Sequence, residues 1–408
     1  MKQNNALRAL IREIPKNDIH VHLDGSLRLD TLIEIAGREG IALPGKTPEE
    51  LTRTLFKDNY DNLEDYLESF NISCKVMQNP ENIERIAYEL AIDNQAEGVC
   101  YLEVRFAPQL HMNAQMSLRG VFTAVNSGLL RAQKEYNRTA AVKDGTKPPF
   151  YYGIIGSALR RFDSWSPYYK EFLAVHQHSK SDQIVGMASL ELAKAIVKIR
   201  DKTGLPIVGL DLSGPEAGNR PRHHRRAFQY VHEAFMHKTV HAGEAYGPES
   251  IFEAISELHA DRIGDGFFLF DPSKIRDPRI TDREKYIHDL VQYIANKRIT
   301  IEVNLTSSVM TEPTLTDVKA HSFGKMLEHK ISTAFCTNSR TACQTTITDE
   351  ILTAWEHFPL DRKLLRDSII YGFKRSFFPG SYMEKRAFVR QCITTYEKLT
   401  ESNPLLDR

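Results

Sequence analysis

Short apolar, β-branched runs alternate with segments of helical periodicity about eight times along this chain, and that alternation limits the folds it can adopt. Alternation of this kind is typical of parallel βαβ units, and eight such units close into a barrel. We therefore predict an α/β fold, a single (β/α)8 TIM-type barrel with extra peripheral helices. The predicted strands are a first one that carries His20 and His22, followed by 101–106, 151–159, 207–212, 239–242, 262–263, 300–305 and 332–336.

The segments between these strands have helical periodicity, and 138–149 is predicted as a polar loop. An open, doubly wound sheet is the competing fold, but no Gly-x-Gly-x-x-Gly or Walker loop is present to bind a nucleotide there. Without an internal repeat or a low-complexity linker, residues 1–408 are predicted to form one domain. The predicted helices are 6–13, 29–38, 63–77, 81–96, 118–136, 190–200, 284–295 and 323–329, with more towards the C-terminus.

The charge balance argues against a polyanionic partner. Acidic and basic residues number 53 each, so no net field favours nucleic acid or a membrane surface. The five cysteines form no Cys-x-x-Cys pair, which favours a reducing compartment without a disulfide framework. The start of the chain has no apolar signal region and no run is long enough to span a bilayer. We expect a soluble cytoplasmic protein.

Polar side chains follow several predicted strands at their carboxyl ends, where barrels of this class place their sites. His20 and His22 share one face of the first strand, because strand side chains alternate with period two. Two adjacent imidazoles can hold one borderline-soft metal ion, although a lone His-x-His pair is more often unrelated to metal. Further polar residues at the same ends strengthen the metal interpretation: Asp211, Gly214, His241, Glu244, Asp265, Asn304 and Asn338.

Four motifs make the chain resemble the adenosine deaminase family of the amidohydrolase superfamily. The resemblance runs from about residue 15 to the C-terminal helices. The motifs are His20-Val-His-Leu-Asp-Gly-Ser26, Tyr101-Leu-Glu-Val-Arg-Phe-Ala-Pro-Gln-Leu-His111, Leu210-Asp-Leu-Ser-Gly214 and Thr239-Val-His-Ala-Gly-Glu244.

The resemblance implies a role for each matching position. His20, His22 and His241 would bind Zn2+, which with an open position can bring the pKa of a water molecule towards neutrality. Glu244 would donate a proton to the purine ring nitrogen. The resemblance further implies that Asp24 holds the sugar hydroxyl and that Gly214 contacts the base edge.

The chain departs from the family pattern at two catalytic positions. The strand-six motif reads Arg262-Ile-Gly-Asp-Gly266, so Asp265 stands where the family has a histidine that orients the attacking hydroxide. Asn338 replaces the aspartate that binds metal and accepts the proton from water, and Ser339 replaces the next polar residue. A neutral amide cannot act as a base near neutral pH, and weaker metal binding is expected without the aspartate.

Two hypotheses follow from these departures. In one, Asp265 takes over as base or as ligand and Asn338 remains a metal ligand. The protein is then a rearranged hydrolase acting on an adenine nucleoside or related purine, with a purine nucleoside or nucleotide as its small-molecule partner. In the other, the barrel is a catalytically inactive relative that binds a nucleoside or a partner protein. A zinc deaminase of the cytidine type is disfavoured, since its Pro-Cys-x-x-Cys signature is absent.

The basic run 220–226 is interpreted as a solvated loop leading into a helix. A phosphate site is the alternative, which would favour a phosphorylated substrate. The sequence does not indicate an oligomeric state.

Overall fold

Eight parallel strands lie side by side in chain order in the computed structural model, which describes residues 2–61 and 63–407. Each strand pairs with the next, and the prediction of an eight-stranded α/β barrel is confirmed. The strands are β1 (Lys16–His22), β2 (Val99–Phe106), β3 (Tyr151–Leu159), β4 (Ile207–Ser213), β5 (His237–Ala242), β6 (Arg262–Asp265), β7 (Thr300–Val303) and β8 (Thr333–Phe335).

The barrel closes between β1 and the residues that follow β8. Val21 forms a parallel bridge with Asn338. The Asn338 amide donates to the His20 carbonyl at 2.9 Å, and the His22 amide donates to the Asn338 carbonyl at 2.6 Å. The first and last strands are therefore joined at the residues that carry the two predicted histidine ligands.

Seventeen α-helices surround the barrel within the described ranges, and none of these helices has an apolar stretch long enough to cross a bilayer. They are α1 (Lys2–Glu13), α2 (Leu29–Glu39), α3 (Pro48–Thr54), α4 (Leu63–Val76), α5 (Pro80–Ala96), α6 (Leu118–Asn137), α7 (Ala140–Lys143), α8 (Pro167–Val175), α9 (Ser181–Thr203), α10 (Arg225–Glu233), α11 (Pro248–Glu257), α12 (Arg283–Lys297), α13 (Leu305–Thr311), α14 (Phe323–Glu328), α15 (Ile347–His357), α16 (Arg362–Arg375) and α17 (Tyr382–Thr400).

Several predicted boundaries were wrong for local reasons. The helix predicted at 190–200 begins at Ser181, and the polar loop 138–149 contains the short helix α7. The strand predicted at 300–305 ends at Val303, and Leu305 begins α13. The short helix α3 was missed; Pro48 follows its cap, and the Thr47 side chain accepts from the Glu50 amide. A seven-residue helix defined by its cap has too little periodicity to be recognised from pattern alone.

The barrel interior contains a buried network of charged side chains. Glu302 accepts from Arg262 Nε at 2.6 Å and from Arg105 Nη2 at 2.9 Å, and Glu103 accepts from Arg262 Nη2. These four side chains are at most 1% exposed. Buried charges persist in a core when they are paired and hydrogen-bonded, and removing one partner typically costs about 3–5 kcal/mol. This network lies directly beneath the predicted metal ligands.

Candidate active site

Three histidine side chains converge at the carboxyl ends of β1 and β5. Ring nitrogens of His20, His22 and His241 lie within 4.8 Å of one another, and His22 Nε2 is 3.1 Å from His241 Nε2. His20 and His22 reach the same face through strand alternation. His241 comes from the other side of the barrel, so the fold joins positions more than two hundred residues apart.

Two of these imidazole rings each have a carboxylate close to Nδ1. Glu302 Oε2 lies 2.8 Å from His20 Nδ1, and Asp211 Oδ1 lies 3.1 Å from His241 Nδ1. A carboxylate that accepts from Nδ1 fixes the ring orientation and leaves Nε2 to act as a ligand, as is usual for histidines that bind metal. Both carboxylates are fully buried.

The protonation of the histidines follows from their surroundings. Burial lowers the pKa of His20 to about 3, with the Arg105 guanidinium adding to the effect, and burial also lowers the pKa of His22 well below its usual value. Burial lowers the pKa of His241 as well, but the Asp211 carboxylate overrides it and raises that pKa to about 9. His20 and His22 are thus neutral, while His241 must lose a proton before it can bind a metal.

The three imidazoles fit a zinc ion. Nε2 of His20 is buried and finds no hydrogen-bond partner among the described residues. Three neutral imidazoles with an open fourth position are a ligand set that catalytic zinc accepts. His20, His22 and His241 could therefore hold this metal.

Glu244 lies on the loop between β5 and α11, and the buried carboxylate of Glu216 holds that loop through hydrogen bonds to its backbone. Glu216 Oε2 accepts from the backbone amides of Glu244, Ala245 and Tyr246 at 2.8–3.0 Å, and its Oε1 accepts from the Gly243 amide at 3.1 Å. Four amides bound to one carboxylate fix the backbone on both sides of Glu244. The Glu244 side chain is thereby held beside the three histidines.

The environment of Glu244 favours its protonated form. Burial raises its pKa well above the usual range, and the negative charge of Asp265 raises it further. A carboxyl group that keeps its proton at neutral pH can donate it to a substrate. The geometry therefore suits an acid at this position.

Asp265 ends β6 with a left-handed backbone, φ 69°, and is 3% exposed. Asn304 Nδ2 donates to its Oδ1 at 2.6 Å, while its buried Oδ2 has no hydrogen-bond partner within the described ranges. Burial raises the pKa of Asp265. Its carboxylate is not among the donor atoms that lie within 4.8 Å of one another in the histidine cluster. Oδ2 of Asp265 is therefore available to accept a hydrogen bond or a proton.

Asn338 also has a left-handed backbone, φ 59°, and its amide is held at both ends by hydroxyl groups. Nδ2 donates to Ser307 Oγ at 3.1 Å, and Oδ1 accepts from Ser339 Oγ at 3.2 Å. An amide held in this way carries no charge and cannot accept a proton from water near neutral pH.

One cavity of about 330 Å³ joins most of the predicted site residues. Its size is within the range of pockets for small organic ligands. His20 and Asp265 do not line it directly. The predicted residues that do line it are His22, Asp24, Gly214, His241, Glu244 and Asn338, and the aromatic residues are Tyr66, Phe70, Phe162 and Trp165.

The two predicted substrate positions differ in character. Asp24 is buried, which raises the pKa of its carboxyl to about 7, and its Oδ1 lies 3.9 Å from His22 Nδ1. Gly214 has φ +93°, a conformation that side chains rarely adopt, so its backbone can approach a ligand without strain.

Three carboxylates position other site residues, and sequence reasoning missed two of them, Glu302 and Glu216. Period two along β7 places Glu302 on the same face as Asn304, and this pattern could have identified it. Glu216 has no comparable local signal, because its role depends on a loop that lies far along the chain.

The adenosine deaminase family model matches residues 15–143 and 178–394 of this chain. An adenosine deaminase from Mycobacterium avium (strain 104) is 31% identical over 386 residues, covering 94% of this chain and 95% of that protein. A second, from Mycobacterium tuberculosis (strain ATCC 25618 / H37Rv), is 31% identical over 371 residues, covering 90% and 91%.

Solved structures with the same fold include two with bound groups. An amidohydrolase from Burkholderia ambifaria with bound Zn has a TM-score of 0.74 and 17% identity, covering 97% of this chain and 94% of that one. An Arabidopsis protein complexed with IMP has a TM-score of 0.72 and 21% identity, covering 97% and 100%. The matched residues and the level of identity to the mycobacterial enzymes show that this chain belongs to the adenosine deaminase family.

Proposed function

We propose that this chain hydrolytically deaminates an adenine nucleoside, with Asp265 as the base in place of the usual strand-eight aspartate. The observation that carries this proposal is the pair of carboxyl groups that face the site, half-buried Glu244 and buried Asp265. Burial and mutual repulsion raise the pKa of Glu244, while Asp265 keeps one acceptor oxygen without a partner among the described residues. Two carboxyl groups with different environments are the usual arrangement for an acid and a base in one site.

In this assignment Glu244 donates its proton to the adenine ring nitrogen, and Asp265 accepts a proton from the attacking water. Asn304 orients the Asp265 carboxylate through its hydrogen bond to Oδ1. Glu216 keeps Glu244 in place through the four backbone amides. General acid and base assistance of this kind contributes about 10²–10⁴ in rate.

Zinc is the metal that we propose for His20, His22 and His241, where, when bound, it supplies the acidification of a water molecule. The Zn found in the Burkholderia ambifaria amidohydrolase supports this choice. Asn338 contributes a neutral oxygen on the same side and replaces a charged ligand, so we expect weaker zinc binding than in relatives that keep the aspartate.

For the substrate, we propose that the Asp24 carboxyl group accepts a sugar hydroxyl and that the Gly214 backbone meets the base edge. The aromatic residues of the cavity provide flat apolar surface for a purine and sugar. The IMP found in the Arabidopsis neighbour supports a purine ligand. We further propose that the protein acts in the cytoplasm, since its five cysteines are all free. We also propose that the chain forms a single domain, since its eight strands form one sheet.

The test is ammonia release by the zinc-loaded protein from adenosine, 2′-deoxyadenosine and AMP, with Asp265→Asn as the variant. We expect activity on a nucleoside and a loss of about 10²–10⁴ in Asp265→Asn. Asp261→Asn is the matched control, because Asp261 precedes the opposite end of β6 and pairs with Lys238. Asp265→Asn at full activity would remove Asp265 from the chemistry.

A second candidate function follows from the uncharged, hydroxyl-bound amide of Asn338. In that case the chain is a catalytically inactive member of the family that binds a nucleoside or a partner protein. Zinc-loaded, folded protein that binds adenosine yet releases no ammonia from any of the three compounds would favour this candidate over the first.

A further inference from the structure

A second cluster of metal-ligating side chains lies beside the three histidines. Asp24 follows β1, Cys74 belongs to α4, and His111 lies in the turn 108–111 after β2. Donor atoms of these three residues lie within 4.8 Å of one another, and Cys74 Sγ is 3.9 Å from Asp24 Oδ2. Three separate segments of the chain thus bring an oxygen, a sulfur and a nitrogen donor to one point.

The cluster is buried and its polar atoms are unsatisfied. His111 is 0% exposed, Cys74 1% and Asp24 5%. Among the described residues, both ring nitrogens of His111 and Oδ1 of Asp24 lack a partner of good hydrogen-bond geometry. Buried polar groups are normally paired, so three such atoms in one place call for a ligand.

The donor types select the kind of ligand. Carboxylate oxygen, thiolate sulfur and imidazole nitrogen are the three groups that bind zinc in proteins. The backbone of Met77 faces the His111 ring. A backbone group next to one ring nitrogen is the usual support for a histidine whose other nitrogen binds a metal.

We propose that Asp24, Cys74 and His111 form a second binding site for a zinc-like divalent cation. Asp24 and Cys74 line the cavity, which gives the ion a path of entry. On binding, the Cys74 thiol loses its proton and its sulfur becomes a ligand. The inference does not require turnover, but it shares Asp24 with the proposed sugar contact, so cation and nucleoside should compete at this residue.

Cobalt is the probe that separates the two sites. Purified full-length protein, stripped with a chelator, is titrated with Co2+ while bound metal and near-ultraviolet absorption are followed. The three-histidine site has no sulfur ligand, so a thiolate-to-cobalt charge-transfer band reports the second site alone. We expect two equivalents of cobalt per chain, one of them with this band.

Substitutions test whether the charge-transfer band comes from Cys74. Cys74→Ser should abolish the band and leave one equivalent of cobalt, whereas the matched control Cys343→Ser, at another buried cysteine, should keep both. The His20→Ala, His241→Ala double variant should lose the other equivalent and keep the band. Should circular dichroism show that Cys74→Ser is misfolded, His111→Asn replaces it, with the same expected loss.

Two results would overturn the proposal. One is wild-type protein that saturates with a single equivalent and shows no charge-transfer band. The other is a band that persists at full intensity in folded Cys74→Ser and in folded His111→Asn. Both readouts are independent of ammonia release. A protein that binds cobalt at both sites, yet releases no ammonia when only the three-histidine site is loaded, would contradict the proposed function and still support the second site.

Discussion

The two halves of the barrel rim are built differently. At the ends of β1 and β5, buried carboxylates hold three site residues, which we call the charged half: Glu302 of β7 contacts the His20 ring, Asp211 of β4 contacts the His241 ring, and Glu216 binds the Glu244 loop. At the ends of β6 and β8, uncharged amides and hydroxyls support Asp265 and Asn338, and we call this the neutral half after those supports.

This difference separates two tasks of the site. The charged half fixes the orientation of the proposed zinc ligands and of the proposed proton donor, and its contacts use groups deep in the barrel. In the neutral half, Asp265 and Asn338 both have left-handed backbones, a conformation that costs about 1–3 kcal/mol and persists where surrounding structure imposes it. The surrounding structure thus specifies the backbone geometry at these two positions.

The largest expected effect is the loss of bound metal when two of the three histidines are replaced. The His20→Ala, His241→Ala double variant should lose the sulfur-free equivalent of metal entirely, because one imidazole cannot retain zinc. Metal analysis after dialysis measures it. His224→Ala is the control, since His224 is buried but contacts Ser189 and not the cluster. Unchanged metal content in the double variant would place the site elsewhere.

Glu244→Gln should remove activity by about 10²–10⁴ while leaving fold and metal content intact. The amide is nearly isosteric, but its N–H protons are not acidic enough to be transferred to the ring. Ammonia release at saturating nucleoside is the measurement, with Glu253→Gln as a control on a buried carboxylate that pairs with Arg222. Activity within a few-fold of wild type would make Glu244 structural.

Positions 265 and 338 of the neutral half can be given the residues that the family resemblance implies there. Asp265→His with Asn338→Asp should deaminate adenosine at least about 10²-fold faster than the starting protein, the low end of a general-base contribution. Asp265→His alone should abolish activity if Asp265 is the base, so the two changes should be non-additive. A folded, metal-loaded double variant without any gain would show that the cavity, rather than these two positions, decides the chemistry.

A smaller effect tests the support behind the ligands. Glu302→Gln should weaken metal binding at the three-histidine site by about 10- to 100-fold, because His20 loses the carboxylate that orients its ring. Competition with a chelator measures the affinity. Glu103→Gln is the matched control, since Glu103 also pairs with Arg262 but contacts none of the three histidines. Equal losses in both variants would mean that only barrel stability had changed.

The smallest effect is the pH dependence. In the proposed mechanism Glu244 is the acid, and its pKa is raised by burial and by Asp265, so activity should persist at neutral pH. As pH rises through the raised pKa, the proton is lost and kcat/KM should fall by about tenfold per pH unit. A profile in which kcat/KM instead increases over that range would contradict the assignment.

Much of this architecture could be predicted from the sequence. The strand–helix alternation and the four motifs indicated the barrel and the ends of β1, β4 and β5. The role of Glu216 could not be predicted, because a carboxylate bound by four distant amides leaves no periodic trace. Cys74 and His111 were not recognised as a pair for the same reason, since α4 and the turn after β2 meet only in the folded chain.

The bridge between Val21 and Asn338 has a consequence for how the protein is made. As the ribosome releases the chain, both histidines of β1 emerge more than two hundred residues before their third partner. The backbone of Asn338, which forms hydrogen bonds with β1, is synthesised later still. Metal capture should therefore be a late event in biosynthesis, and contacts of such sequence separation are slow to form. A nascent chain arrested before residue 338 would contain all three histidines but would lack the Val21–Asn338 bridge that closes the barrel around them.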